Sequence, residues 1–350
     1  MSEIKLLIVD DEQQELSGFQ NTAERIAVEG TPKFSFETAQ NIESAKSLVD
    51  GTFDGAIIDL RLDDDEDGND FVNEIKAKFR IPTAIYTGNP PDEPEDVKIF
   101  VKGESTQEDV LGYFRKVFNT GLTKVFGGRG QVEKMMDRVF WNNVVPDLDT
   151  WLKYVDEGKD TENALMRLTM NHLSQILEAI NDSCLPEEVY ICPPTSEHIQ
   201  TGSIVQNKES GWTYIIISPA CDLAIRKNGS FKTDSVLVCR LMETNGVAES
   251  LVKGFGQAKR AKKIEELLKN NINNYYYWLP KTSKFSGGVA NFRYVTTTCK
   301  TRLDVKFTKP KIQVSPQFVK DLVARFSSYY ARQGQPDLNF SEIAASITEN

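Results

Sequence analysis

Five polar side chains stand where short apolar runs end. Asp10 and Asp11 follow "KLLIV", Asp59 follows "GAII", Thr87 follows "PTAIY" and Lys102 follows "KIFV". If these run-ends meet, three carboxylates, one hydroxyl and one ammonium share a small volume. Carboxylates that close repel one another unless a cation neutralises them, and a hard divalent ion with oxygen ligands, Mg²⁺, fits such a set. Bound Mg²⁺ keeps coordination positions open for a phosphoryl oxygen, while Lys102 and Thr87 offer a positive charge and a hydroxyl for the others. The set suits in-line attack on phosphorus, where positioning and charge neutralisation supply most of the catalysis.

Whether the run-ends meet depends on the elements that carry them. Residues 1–120 alternate in type: apolar runs at 4–10, 33–40, 53–60, 82–88 and 98–103 read as strands, and 15–30, 41–51, 69–79 and 105–119 read as helices. Continuous apolar strands alternating with helices predict a parallel sheet covered on both faces. In such open sheets ligands bind beyond the carboxyl ends of the strands. Asp10, Asp11, Asp59, Thr87 and Lys102 all stand at those ends, so one edge of the sheet should gather them.

On the motifs "VDDE", "IIDL", "YTG" and "VKG", residues 1–120 resemble the receiver domain of two-component response regulators, the CheY-like receivers. The resemblance implies a flavodoxin-like, doubly wound, five-stranded parallel α/β fold. It implies Asp59 as phospho-acceptor, Mg²⁺ held by Asp10, Asp11 and Asp59, and Thr87 and Lys102 stabilising the phosphorylated form. The implied partner is a histidine kinase or phosphotransfer protein, and the only enzymatic chemistry implied is the receiver's own phosphorylation and dephosphorylation. Receivers with unusual partner regions are also similar to components of anti-phage phosphorelays.

Three departures stand out. The family's switching aromatic, three residues before the lysine, is here Ile99, with Phe100 beside it, and Gly103 replaces the usual proline. Only 14 residues separate Thr87 from Lys102, fewer than is usual, and "NPPDEPED" leaves little room for a fourth helix. Phosphoryl capture is therefore expected intact and the usual readout surface, over segment 88–101, remodelled. Arg61, two positions past Asp59 in the acidic loop 61–70, is placed to reach a phosphoryl group, and Gly88 should leave the acceptor accessible.

Charge divides the chain. Residues 1–120 carry 26 acidic and 12 basic side chains, a net of −14, whereas residues 121–350 carry 25 and 29, a net of +4. The two parts suit different partners, or docking of one on the other. Hydrophobic content of 40% supports two or three domains with cores. No apolar run approaches the roughly 18 residues of a membrane span, and "MSEIKLLIVDD" lacks the features of a leader, so a cytoplasmic protein is expected. The five cysteines are odd in number and form no CxxC pair, which predicts reduced, buried thiols rather than a disulfide framework or zinc knuckle.

Residues 121–182 read as a linker and helical connector. "NTGLTKVFGGRGQ" (119–131) has four glycines and few large apolar groups and reads as a linker or a partly mobile connector. In 149–180, Leu165, Leu168, Leu173, Ile176, Leu177 and Ile180 recur at helical spacing. From 183 to 350 an α+β output domain is expected, a small β-barrel or bent sheet with strands at 202–206, 211–219, 235–241, 291–297 and 302–307. A basic helix interrupts it at 249–271, an amphipathic helix covers 315–334, and the last residues should dock loosely or fray. Cys221 and Asp222 follow the strand break at Pro219, but neither His172 nor His198 is spaced to pair with Cys221. A zinc site from Cys221, Cys192 and His198 lacks motif spacing.

Three functions follow. The first is a response regulator acting through a non-standard output domain that contacts protein. The second is a phosphate sink draining a shared kinase. The third is nucleic-acid binding through the basic region 253–311: residues 251–300 carry 10 basic and 2 acidic side chains, with "KRAKK" followed by "YYYW". That region shows no helix-turn-helix.

Overall fold

The structure is a computed structural model and describes residues 3–62, 68–90, 97–179, 183–227, 229–332 and 338–348. The chain forms two compact units, Met1–Asn181 and Asp182–Asn350. None of its described helices is long and apolar enough to cross a membrane.

The first unit opens with strands β1 (Glu3–Val9), β2 (Lys33–Ala39), β3 (Gly55–Ile58), β4 (Thr83–Thr87) and β5 (Lys98–Val101), all parallel in the order β2-β1-β3-β4-β5. This is the flavodoxin-like doubly wound order. Helices α1 (Gln13–Arg25), α2 (Ile42–Leu48), α3 (Gly68–Lys78) and α4 (Gln107–Asn119) connect or follow the strands. Successive residues of a strand face opposite sides, and β1 buries both sets. Leu7 and Val9 join Phe71, Val72 and Ile75 of α3, while Ile4, Leu6 and Ile8 join Phe19 of α1 and Phe114 of α4. Burial on both faces explains why "KLLIV" is apolar without alternation. Between β4 and β5 the described residues contain no helix. Residues 91–96 of the proline-rich stretch and 63–67 of the acidic loop lie outside the described residues.

The glycine-rich segment behaves differently from a mobile linker. Helix α5 (Leu122–Phe126) precedes a turn in which the Gly128 N–H donates to the Gly51 carbonyl at 2.7 Å. A Cβ on Gly128 would lie 2.6 Å from that oxygen, so glycine here permits close approach of two backbones rather than looseness. Arg129 then pairs with buried Asp54 at 2.6 Å, and Arg80 pairs with Glu133 and donates from Nε to the Phe126 carbonyl at 2.7 Å. Sequence composition alone cannot separate a flexible glycine from a packed one.

Helices α6 (Gln131–Val139), α7 (Leu148–Asp156) and α8 (Glu162–Glu178) follow, α6 running into a π-helical turn at Phe140–Val144. Leu165, Leu168, Leu173 and Ile176 are half-buried, Leu177 is exposed, and Ile180 lies outside the described residues. Neither α7 nor α8 has a fully buried side chain, and Trp141, Val155, Met166 and Met170 are more than half exposed.

The second unit is built on an antiparallel sheet of β6 (Tyr190–Ile191), β7 (Ser203–Gln206), β8 (Thr213–Ile216), β9 (Val236–Met242), β10 (Tyr276–Leu279), β11 (Gly288–Thr298) and β12 (Ile312–Val314), in the order β10-β11-β9-β8-β7-β12-β6. A register shift in the β11–β9 pairing between Ala290 and Val295 bends the sheet. The curl is enough for the Tyr190 hydroxyl on edge strand β6 to donate to the Pro280 carbonyl just past edge strand β10, at 2.6 Å. The sheet is thus a curled half-barrel whose edges meet through a side chain, the bent-sheet form of the expectation.

Helix α9 (Ala220–Leu223) and α12 (Lys300–Lys306) bury Leu223 and Leu303 in a cluster with Val205, Ile216 and Val238 of the strands. Helix α13 (Pro316–Ala331) adds Leu322, Phe318 and Phe326 to another cluster. The basic stretch at 249–271 is two helices, α10 (Thr244–Val252) and α11 (Gln257–Leu268), separated around Gly254, whose φ is +87°.

One expected strand is a helix. "RLDVKF" alternates like a strand, yet Leu303 and Phe307 are also four apart, and both are buried while Val305 is 66% exposed. The Phe307 N–H donates to the Leu303 carbonyl, and Lys300 pairs with Asp304 at 3.0 Å. The i,i+4 spacing won over the period of two. The "YYYW" stretch lies at the start of β10, with Tyr277 in the core against β11 and α13 and Tyr276 and Trp278 against Val247 and Leu267. The last stretch is a helix, α14 (Phe340–Thr348), whose Phe340, Ile343 and Ile347 are exposed.

Substituting Gly128→Ala should force its backbone from Gly51 and cost about 1–3 kcal/mol of stability by overpacking. Thermal unfolding and limited proteolysis around residues 121–139 check this, with earlier cleavage there expected in the variant.

Candidate functional site

The parallel sheet positions its strand-end residues as the topology requires. Asp10 leaves β1 with its N–H bonded to the Ala39 carbonyl at 3.1 Å, Asp59 leaves β3 with its N–H on the Val9 carbonyl at 2.9 Å, and the Lys102 N–H meets the Thr87 carbonyl at 2.8 Å. Ladder bonds that run one residue past each strand hold these side chains on rigid backbone. Gly68 opens α3, and a Cβ there would lie 2.3 Å from the Asp59 carbonyl oxygen. That close packing draws the start of α3 against the site.

Lys102 is the hub. Its Nζ donates to Asp10 Oδ2 at 2.8 Å and to Asp59 Oδ2 at 2.6 Å, and both carboxylates are at least nine-tenths buried. Asp10 also accepts the Glu12 N–H at 3.0 Å, and Asp59 Oδ1 accepts the Arg61 N–H at 3.2 Å. Asp11 is partly exposed on the rim. The carboxylate oxygens of Asp10, Asp11 and Asp59 come within 4.8 Å of one another. Thr87 is buried, and its Oγ1 accepts the Asn89 N–H at 3.4 Å, leaving the hydroxyl proton free to donate. A Cβ added to Gly88 would meet nothing within 4 Å, so the approach past Thr87 is open.

The charge balance is strained on one side. Burial lifts the Asp10 carboxyl from 3.8 to about 6, against the hydrogen bonds from Lys102 and Glu12 that lower it. Burial works against the Lys102 ammonium too, but its hydrogen bonds to Asp10 and Asp59 outweigh it and hold the group above its ordinary value. One ammonium facing three carboxylates leaves a deficit of positive charge, so the donor set fits a small hard dication of the Mg²⁺ kind.

Arg61 is exposed, and only its backbone N–H touches Asp59. Ile99 packs with the α2–α3 core, whereas Phe100 is buried on the other side against Tyr113, rings 5.7 Å apart.

The cysteines differ from expectation. Cys184, Cys192, Cys221 and Cys299 are exposed free thiols, and only Cys239 is buried, its thiol pushed up to about 12 by burial. Cys221 sits on the short α9, too small an element to cover it, with Sγ 3.7 Å from Asp222 Oδ1. Among the described residues neither His172 nor His198 joins it, and no zinc-type cluster with Cys192 and His198 forms.

Comparisons with known proteins bear on the first third of the chain. It is similar in structure to a response regulator receiver protein from Sinorhizobium medicae, at 20% identity over 33% of this chain and 95% of that one, TM-score 0.26. A CheY-like receiver domain protein from Methanospirillum hungatei matches at 20% identity over 35% of this chain and all of its own, TM-score 0.29. A two-component response regulator from Clostridium difficile matches at 18% identity over 33% and 97%, TM-score 0.28. No protein-family profile and no curated protein matches the chain.

In Asp10→Asn the buried charge is gone. Because the folded carboxyl titrates near 6 and the unfolded one near 3.8, wild type without divalent ions should lose stability relative to the variant as pH rises from about 4 to about 6. The difference should then stay constant, and saturating Mg²⁺ should reverse the order by stabilising wild type. Thermal unfolding from pH 4 to 8, with chelator or Mg²⁺, tests this. Thiol titration should find four fast-reacting cysteines, with Cys239 reacting only on unfolding.

Proposed function

We propose that the chain is a response regulator whose residues 1–120 capture a phosphoryl group on Asp59 from a histidine kinase or phosphotransfer protein. The single observation that carries this reading is Lys102 bridging Asp10 and Asp59 at 2.8 and 2.6 Å beside buried Thr87 and exposed Gly88. Residues 121–182 act as the helical connector and 183–350 as an output domain working through protein contacts. In this reading the chain works in the cytoplasm.

Asp59 supplies the nucleophile. Its carboxylate oxygen attacks phosphorus as the bond to the donor nitrogen breaks, and that nitrogen keeps the electron pair. Asp10, Asp11 and Asp59 would hold Mg²⁺, which when bound neutralises charge on the phosphoryl oxygens. Lys102 needs no long travel to follow the new charge, because its ammonium is already anchored to Asp10. The Thr87 hydroxyl donates to another phosphoryl oxygen, and open space at Gly88 admits the donor first and hydrolytic water later. Both charged partners are fixed before reaction, which is the condition under which such electrostatics are strongest.

A second reading, a phosphate sink, rests on Ile99 and Phe100. Position 99 has no ring to swing inward, and Phe100 is buried against Tyr113, so the acceptor is uncoupled from the aromatic switch of the family it resembles. The nucleic-acid reading through 253–311 keeps little of its stacking platform, since Tyr277 is core, Tyr276 packs against the α10–α11 cluster and Trp278 is half-buried there.

Intact mass after incubation with acetyl phosphate and Mg²⁺ should show one added phosphoryl group in wild type and none in Asp59→Asn. Lys102→Ala should lower the rate of uptake on the order of 10²-fold. Slow loss of the group marks a switch and rapid loss marks a sink. Failure of both acetyl phosphate and a phosphorylated histidine kinase to label Asp59 would overturn the proposal.

A further inference from the structure

The second unit contains a cleft of about 710 Å³ that none of the receiver chemistry uses. Its walls come from Trp212 before β8, the end of β9 at Arg240, the first turn of α10, Trp278 of β10 and Lys281 after it. The size lies within the roughly 300–1,000 Å³ of small-molecule sites.

Arg240 is the first pointer to a ligand. Its guanidinium stacks on the Trp212 ring, with Cζ 3.5 Å from the centroid, and it has no carboxylate partner among the described residues. Its Nε is buried and makes no hydrogen bond. A partly buried guanidinium without an acid is costly, and an anion arriving in the cleft would supply the missing counter-charge.

The start of α10 is the second. Helix α10 is nine residues long and no side chain caps it. Its first backbone bond runs from the Val247 N–H to the Glu243 carbonyl at 3.2 Å, which leaves the Thr244, Asn245 and Gly246 N–H groups at its positive end. A Cβ on Gly246 would meet nothing within 4 Å, so a ligand can come up to this backbone. Lys281 stands exposed on the same wall without an ion pair among the described residues.

Phosphate alone would not need the aromatic walls. Trp212 is 48% exposed and Trp278 half-buried, so both offer indole surface to a planar group. Glu243, the single acid in the wall, can accept from ring N–H or amino donors. Cation, open helix N-terminus, indoles and one acceptor match a molecule with a phosphate at one end and a heterocycle at the other.

We propose that this cleft binds a nucleotide, its phosphate held by Arg240, Lys281 and the first turn of α10 and its base against Trp212 and Trp278. The assignment is independent of the phosphorylation chemistry of the first unit. It makes residues 183–350 a ligand-binding domain as well as a protein-contact surface.

The test is isothermal titration of the full chain, with tryptophan fluorescence in parallel, against ATP, GTP, CTP and UTP without divalent cations. Tripolyphosphate, the free nucleosides and a single-stranded thymidine oligonucleotide are titrated alongside. At least one nucleotide should bind and quench fluorescence, more tightly than tripolyphosphate and than its own nucleoside. Arg240→Ala and Trp212→Ala should each weaken it by about tenfold or more, with circular dichroism and Tm unchanged. Should Arg240→Ala fail to fold, Lys281→Ala, which alters an exposed side chain, carries the same expectation. No binding of any nucleotide at millimolar concentration, equal binding of tripolyphosphate, or binding of the oligonucleotide alone would each overturn the proposal.

Discussion

The first unit is organised around one unbalanced charge count, a single ammonium set among three carboxylates at the ends of parallel strands. Burying Asp10 and Asp59 against Lys102 at 2.8 and 2.6 Å is tolerable only because the backbone beneath each is fixed by ladder bonds beyond the strand. Replacing either strand end with a looser loop would leave buried charges without aligned partners, which is more costly than their attraction is worth. The apolar strand cores, the close packing of Gly68 behind Asp59 and the two-sided core all serve that placement.

Much of this was legible in the residues. Five apolar runs alternating with helices, four of them ending in the polar site groups, specify a parallel sheet and the edge at which those groups gather, because strand order and side-chain direction leave no other place for them. Less legible were features in which one residue type serves two ends. Gly128 reads as flexible and packs against backbone. "RLDVKF" satisfies both a period of two and an i,i+4 pair, and burial of Leu303 with Phe307 decided between them. Cysteine exposure at 184, 192, 221 and 299 was not legible at all, since it depends on what covers each position rather than on any local pattern.

The cleft at Arg240 shows the same limit from the other side. Trp212, the Arg240–Glu243 stretch and the Trp278–Lys281 stretch come from three separate segments, and no spacing links one segment to another. A contributing signal was present in the basic and aromatic stretch near 275–281, but it suggested a strand of nucleic acid lying across a surface. Folding instead sends Tyr277 into the core and leaves Trp278 and Lys281 at a pocket wall.

Arg129 reaches back to the buried carboxylate of Asp54, and Glu133 to Arg80. A chain divided at the end of α4 would strand Asp54 inside without its guanidinium. The parallel sheet is therefore tied to the segment that follows α4, through Gly51, Asp54 and Arg80. A cut at residue 120 would remove both Arg129 and Glu133 from their partners in the sheet unit, whereas one beyond Glu133 would keep both ion pairs.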